Sequence, residues 1–180
     1  MADYGYAIGS SGPVEGIEVV FKSGDIDFLP GNGGYLGKGW SSPNDPSSLP
    51  EAGAIYGRTG QNILPKIIYA RWFSYKNQKF YAANIDVTTS LPRLFSEFSQ
   101  AYGENTSEPT IILGLGVDGE IAATLKTSCS YIYVCGKNRK LVKIASGIGQ
   151  EVEGNSKAYL PITKQIIKKG YIAPIPGLDD

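Results

Sequence analysis

The stretch TIILGLGVDGEIAATLKTS, Thr110 to Ser128, contains Gly114-x-Gly116-x-x-Gly119. That spelling belongs to turns that bind a dinucleotide, where glycines let the backbone approach a pyrophosphate at a helix N-terminus. The chemistry would need a helix over Glu120 to Lys126 and a parallel strand at Tyr131 to Cys135, and Arg139 would suit a 2′-phosphate. Asp118 and Glu120 flank the third glycine, however, and their charges would repel the anion that a helix N-terminus attracts. The helix would have only about eight residues, short for a crossover. Only about fifty residues follow, too few for two wound halves. A hairpin fits better. Asp118-Gly119 suits a type I′ turn with Val117 facing Glu120. Gly114 and Gly116 would share a face of the incoming strand and leave room for a bulky group, such as a helix.

Other reactive patterns are sparse. The chain has no histidine, which removes the commonest general base and zinc ligand. A serine or cysteine nucleophile would lack its usual partner. Three close carboxylate pairs, Asp25/Asp27, Asp118/Glu120 and Glu151/Glu153, would each share a strand face and suit acid–base work. Solvated strand edges explain them as well. Cys129 and Cys135 would stand ~20 Å apart on one straight strand, beyond the ~7 Å limit for a bridge. A disulfide requires SYIYV to bulge out as a loop. Otherwise Cys135 is a small buried hydrophobe and Cys129 a turn residue.

The elements that would position these residues are mostly strands. The 180 residues suffice for one domain with its own core, spanning 1–180. Gly 23, Pro 11 and Tyr 12 are high counts that disfavour long helices and favour strands. Net charge is zero and no basic run is interleaved with aromatics, so a nucleic-acid surface is not expected. No apolar run approaches the ~20 residues of a membrane span.

Tyr4 to Ile8 and Gly16 to Lys22 read as strands around Ser10 to Pro13, with Ile17, Val19 and Phe21 alternating against Glu18, Val20 and Lys22. Asp25 to Leu29 reads as a shorter one. Lys66 to Phe73 is almost wholly apolar, a central strand. Lys79 to Val87 returns from a polar turn with Tyr81, Ala83, Ile85 and Val87 on one face. Leu91, Leu94, Phe95, Phe98 and Tyr102 make one face of a helix at about 91–102, with Ser90 as N-cap, Pro92 in its first turn and Gly103 as its stop. Tyr131 to Cys135 and Lys140 to Ala145 read as further strands, and Pro161 to Lys169 as a short helix. The fold class is α+β, mainly antiparallel β: a sheet or sandwich of hairpins with one amphipathic helix packed on it and a short C-terminal helix.

Pro30 to Asn62 has no sustained period. Loops longer than ~12–15 residues are often functional. This Gly/Pro/Ser-rich loop carries Tyr35, Trp40, Tyr56 and Arg58, residue types enriched where proteins bind partners. They are the candidate partner-binding residues. The alternative is an insertion whose Trp40 merely packs on the sheet.

From Trp40 onwards the motif order resembles a family of bacterial envelope lipoproteins of unknown function. The matching pieces are Gly39-Trp40, Leu64-Pro65, Arg71-Trp72-Phe73-Ser74, Lys79-Phe80-Tyr81 and Gly114-Leu115-Gly116-Val117-Asp118-Gly119-Glu120-Ile121, within roughly residues 35–145. Ala123, Thr124 and Leu125 stand where that family often has a tryptophan. The resemblance implies an immunity protein of type VI secretion: a non-enzymatic inhibitor, without cofactor or metal, that neutralises a secreted toxic effector of phospholipase type, a lipase. It also implies a periplasmic lipoprotein whose signal peptide and lipidated cysteine are missing from this sequence. Trp72, Ser74 and Tyr81 would then be structural. The competing expectations are a ligand- or carbohydrate-binding β module that stacks sugars on Trp40 and Tyr35, a small carboxylate enzyme, and nucleotide binding through Gly114–Gly119.

Overall fold

A computed structural model of the chain describes residues 2–24, 26–30, 34–45, 47–101, 106–129 and 139–178. Two sheets dominate it. The first contains β1 (Gly5–Ser10), β5 (Ile55–Arg58), β8 (Thr106–Leu115), β9 (Glu120–Cys129) and β10 (Leu141–Ile148), in the order β10-β9-β8-β1-β5. Only β1 and β8 run parallel; the other neighbours are antiparallel. The second contains β2 (Val14–Lys22), β3 (Asp27–Phe28), β4 (Gly34–Leu36), β6 (Ile67–Ser74), β7 (Lys79–Asp86) and β11 (Gln150–Val152). Its order is β11-β7-β6-β2-β3, with β4 also paired to β2. The architecture is the expected α+β class, rich in antiparallel sheet. Tyr131 to Cys135, expected as a strand, lies outside the described residues.

Alternation along the strands builds the core. Ile68, Ala70 and Trp72 of β6 and Tyr81, Ala83 and Ile85 of β7 face Ile111, Leu113 and Leu115 of β8 and Ile121, Ala123 and Leu125 of β9 in one buried cluster. Each such aliphatic side chain contributes about 1.5–3 kcal/mol by leaving water. Helix α1 (Leu91–Gln100) sends Leu91 and Phe98 into the same cluster, with Leu94 and Phe95 packed against it. The expected helical face is therefore the buried one, while Tyr102 and Gly103 lie outside the described residues. Ser90 is the N-cap residue and Pro92 lies in the first turn, as expected, but the Ser90 side chain makes no capping bond; its N–H donates to the Thr88 hydroxyl at 3.3 Å.

The outer face of the second sheet is covered from the C-terminal side. A 3-10 turn (Ser156–Tyr159) and helix α2 (Leu160–Lys168) lay Tyr159, Ile162 and Ile166 on Phe73, Tyr75 and Phe80. Tyr159 stacks on Phe73 with ring centroids 4.8 Å apart. This cover explains why β6 is apolar on both faces. A shift of register between Gly16 and Glu18 in β2 turns Ile17 to this outer cluster while Val19 and Phe21 stay inside. The strict alternation read from Ile17 to Lys22 therefore breaks at its first residue. β1 and β2 flank the short turn at Ser11–Pro13 but belong to opposite sheets.

The glycine motif is a hairpin turn. β8 and β9 pair antiparallel on either side of it, so Glu120 to Lys126 is strand and no helix begins at Gly119. The turn differs from the expected type. The Gly116 N–H donates to the Glu120 carbonyl at 2.6 Å, and the Gly119 N–H to the Gly116 carbonyl at 3.3 Å. Gly119 has φ +97°, and Asp118 is not among the residues of positive φ. A type I′ turn needs positive φ at both central residues. The loop thus has three residues with its positive φ at the third, and Gly116 rather than Val117 faces Glu120.

Candidate functional site

The part of the loop around Trp40 and Pro50–Gly53 does not project but lies on the outer face of the first sheet, against Gly9 and Gly114. Trp40 is 3% exposed, and its indole N–H donates to the Ser48 hydroxyl at 2.9 Å. Its main-chain N–H donates to the Ser10 carbonyl at 2.9 Å. A Cβ added to Gly114 would meet the indole at 2.6 Å and Pro50 at 2.9 Å. Gly114 therefore does leave room for a bulky group, but that group is Trp40 and not the helix. Gly9 is similarly crowded by the Ala52 carbonyl, at 2.5 Å from where its Cβ would stand. Of the two readings of Trp40, the structure shows the one in which it packs on the sheet, so Trp40 is not an exposed contact residue. The loop also holds two strands, β4 and β5, too short and glycine-rich to show a period.

Several motif residues converge at one end of the sandwich. The Trp72 indole donates to the Gly116 carbonyl at 2.9 Å, and the Gly149 N–H to the Gly119 carbonyl at 2.7 Å. The Asn77 side chain donates to the Val117 carbonyl at 3.0 Å and to the Tyr81 hydroxyl at 2.8 Å. Lys76 pairs with Asp118 at 3.0 Å. The ends of both sheets are tied to one turn here, and the groups involved are satisfied by each other. This is a clamp between layers rather than a reactive site.

Residues 26–171 match the family described as "Protein of unknown function (DUF2931)". The chain belongs to this family. Comparison with curated proteins and with solved structures finds no match. The DUF2931 span includes the clamp residues Trp72, Asn77, Tyr81, Gly116 and Gly119, and begins after β1 and β2, each of which is interior to its sheet. It also includes most of a second region, better suited to binding.

That region is the outer face of the first sheet beside β5. Tyr56 and Arg58 stand opposite Ala7 and Gly5 of β1. With Lys126, Ser128, Thr110 and Arg139 they border a cleft of about 450 Å³, walled by residues 51–53. Gly5 is required in the floor: a Cβ there would stand 2.6 Å from the Thr110 hydroxyl. Tyr56 is 72% exposed. Arg58 is held by two carboxylates, Asp3 at 3.2 Å and Glu108. Lys126 donates to the main-chain carbonyl of Glu51 at 3.0 Å. Burial, then the nearby Arg139 charge, pulls the Lys126 pKa below the usual lysine value, against a smaller opposing pull from Glu51.

Of the four candidates, Tyr56 and Arg58 come together here. Tyr35 does not join them; it sits on β4 against Tyr75, with ring centroids 6.0 Å apart. Burial, then a hydrogen bond donated to Glu15 at 2.6 Å, raises the Tyr75 pKa far above the tyrosine norm. Lys126 and Glu108 were missed as cleft residues. Their only sequence signal is a charged residue on an outward strand position otherwise lined by small side chains. Arg139 was noticed, for another ligand. Asp118 and Glu151 are in exposed ion pairs with Lys76 and Lys79. Among the described residues no cluster of acidic or cysteine side chains could hold a metal. Asp25 and Cys135 lie outside the described residues, and with them the Asp25/Asp27 pair and the bridge to Cys129.

Proposed function

We propose that this chain is a non-enzymatic inhibitor that binds and neutralises a secreted toxic enzyme. The observation that carries the binding reading is the open strand β5, whose Tyr56 is 72% exposed beside a polar cleft. Protein partners use exposed aromatics of this kind as anchors. Further support is the layered scaffold, clamped at Trp72–Gly116, which would present such a surface with little reorganisation. The nature of the partner comes from the motif order alone: an effector of type VI secretion, of phospholipase type, met in the periplasm by a lipid-anchored form of this protein.

The test is co-purification with the product of a neighbouring toxin-like gene and assay of its hydrolysis in the complex. Loss of hydrolysis, with protection of cells that make both, is the expected result. An effector that stays fully active in the presence of excess inhibitor would refute the reading. Fractionation of the natural gene product tests the location.

A carbohydrate-binding role was the second expectation. Its stacking platform needed Trp40 and Tyr35 side by side and exposed, and Trp40 is beneath the loop. A nucleotide role at Gly114–Gly119 lacks the helix that would receive the phosphate.

A further inference from the structure

The outer residues of β1 are small. Gly5, Ala7 and Gly9 share that face, and Gly114, the partner of Gly9, continues it on β8. At the Gly9 end the loop closes on the strand: a Cβ there would stand 2.5 Å from the Ala52 carbonyl and 3.1 Å from the Gly53 Cα. A Cβ on Gly5 would instead find its nearest neighbours in the Thr110 side chain. The loop therefore stops short of Gly5, and this uncovered end of β1 is the floor of the cleft.

The pairing lays one row of residues across that floor. Arg58 stands opposite Gly5, Gly5 beside Thr110, and Thr110 opposite Lys126. The Cα atoms of the two cations are thus separated by about 14 Å, the sum of the intervening strand spacings. Only small side chains lie between them, so a molecule resting on Gly5 and Thr110 is within reach of both. Tyr56 adds a ring, 72% exposed, on the β5 side. The volume of about 450 Å³ falls within the usual size of a small-ligand site, about 300–1,000 Å³.

The charges of the rim disfavour an ion. Asp3, Glu51 and Glu108 balance Arg58, Lys126 and Arg139, so a charged ligand would meet both signs. A wholly apolar ligand would strip water from these groups and return no hydrogen bond. A neutral molecule dense in hydroxyls fits both signs, because each hydroxyl can donate to a carboxylate and accept from a cation. The Thr110 and Ser128 hydroxyls, 2.9 Å apart, bond to each other and keep one hydroxyl hydrogen to donate to a ligand. The exposed face of Tyr56 suits the apolar C–H face of a sugar ring. The platform expected at Trp40 and Tyr35 does not form, but the same chemistry is assembled at β5.

We propose that the cleft between β5 and β9 binds a neutral saccharide, seated on Gly5 and Thr110, with one ring face on Tyr56 and its hydroxyls shared among the cations and carboxylates of the rim. This goes beyond the inhibitor reading and does not rest on it, since no partner protein is involved.

The test is a titration of the isotope-labelled full chain, followed by nuclear magnetic resonance, with the neutral disaccharides lactose, maltose, cellobiose and diacetylchitobiose. Each is taken to about 20 mM, enough to fill most of a site with a Kd of ~1 mM. Sodium sulfate and sorbitol are the comparators, an anion and a polyol without a ring. The expected result is movement of the Gly5, Tyr56 and Arg58 amide signals with at least one disaccharide and with neither comparator. Tyr56→Ala should weaken that disaccharide by about tenfold or more, and Tyr56→Phe by less than about twofold, with the melting temperature of the parent kept in both. The proposal is overturned if no disaccharide moves these signals, if sulfate or sorbitol reproduces the shifts, or if Tyr56→Ala binds as well as the parent. No toxin enters this assay. Protected cells without sugar binding would sink the saccharide site and spare the inhibitor reading; sugar binding without inhibition would do the reverse.

Discussion

The Trp72 indole N–H donates to the Gly116 carbonyl at 2.9 Å, a buried bond between the second sheet and the turn that ends the first. Trp72 is fully buried and lies 5.6 Å, centroid to centroid, from the Tyr81 ring. A Cβ on Gly119 would stand 2.9 Å from Tyr81, and one on Gly149 2.8 Å from Trp72. The aromatics and the glycines are therefore one fitted unit, which accounts for their appearing together in the motif order.

Trp72→Phe tests that unit. It removes the bond to Gly116 and leaves a void where the indole was, which should cost about 2–4 kcal/mol. Urea unfolding should show a lower midpoint at unchanged slope. A loss below about 0.5 kcal/mol, the usual range for surface changes, would mean that the tie does not hold the sheets.

Gly114→Ala tests the seat of the loop. The new methyl would lie 2.6 Å from the Trp40 ring, too close without displacement. The cost should be about 1–3 kcal/mol. In a Trp40→Leu background it should shrink by roughly 0.5 kcal/mol or more, because the two sites couple through contact. Additive costs would show that Trp40 does not rest on Gly114.

Tyr4→Phe bears on alkaline stability. The Tyr4 side chain is fully buried, and its hydroxyl has no hydrogen-bond partner among the described residues. Burial raises its pKa well above the ordinary tyrosine value of about 10. A phenol whose folded pKa is raised stabilises fully below its unfolded pKa, about 10, and loses that contribution as pH rises through the folded value. Stability should therefore fall above about pH 10 in the parent and fall less in the variant. At neutral pH the variant should be equal or more stable by up to about 1 kcal/mol. An unchanged alkaline limb would exclude Tyr4 as a contributor.

Tyr56→Ala should separate binding from folding. The ring is 72% exposed, so the midpoint of unfolding should stay within about 0.5 kcal/mol of the parent. Under the proposed inhibitor role, protection against a partner toxin should weaken by at least about tenfold in dose. Trp40→Ala should do the opposite, with a large loss of stability from its buried site. Equal protection by Tyr56→Ala and the parent would remove β5 from the interface.

What could be read from residue order was whatever repeats along one element. The apolar β6, the alternating β7 and the face Leu91–Leu94–Phe95–Phe98 follow from periods of two and of about four. Chain reversal at Asp118–Gly119 was legible because two carboxylates flank the glycine; the turn type was not, since it depends on whether Gly116 or Val117 closes against Glu120. Whether Trp40 packs or projects was left open because its burial comes from Gly114, 74 positions along the chain, and no local pattern reports that. The cleft was illegible for the same reason: Arg58, Glu108, Lys126 and Arg139 come from four separate segments. The parallel pairing of β1 with β8 gave no signal either.

That pairing governs the order in which the molecule assembles. β1 is flanked by β8 on one side and β5 on the other, so β5 can cover one of its edges early, while the other has no partner until residues 106–115 exist. Closing so long a loop is entropically costly, and topologies of this kind refold on timescales of roughly milliseconds to seconds. During synthesis the Gly5–Ser10 segment waits with one edge open, and a trapped nascent chain ending before Thr106 should be cut by protease there while a longer one resists.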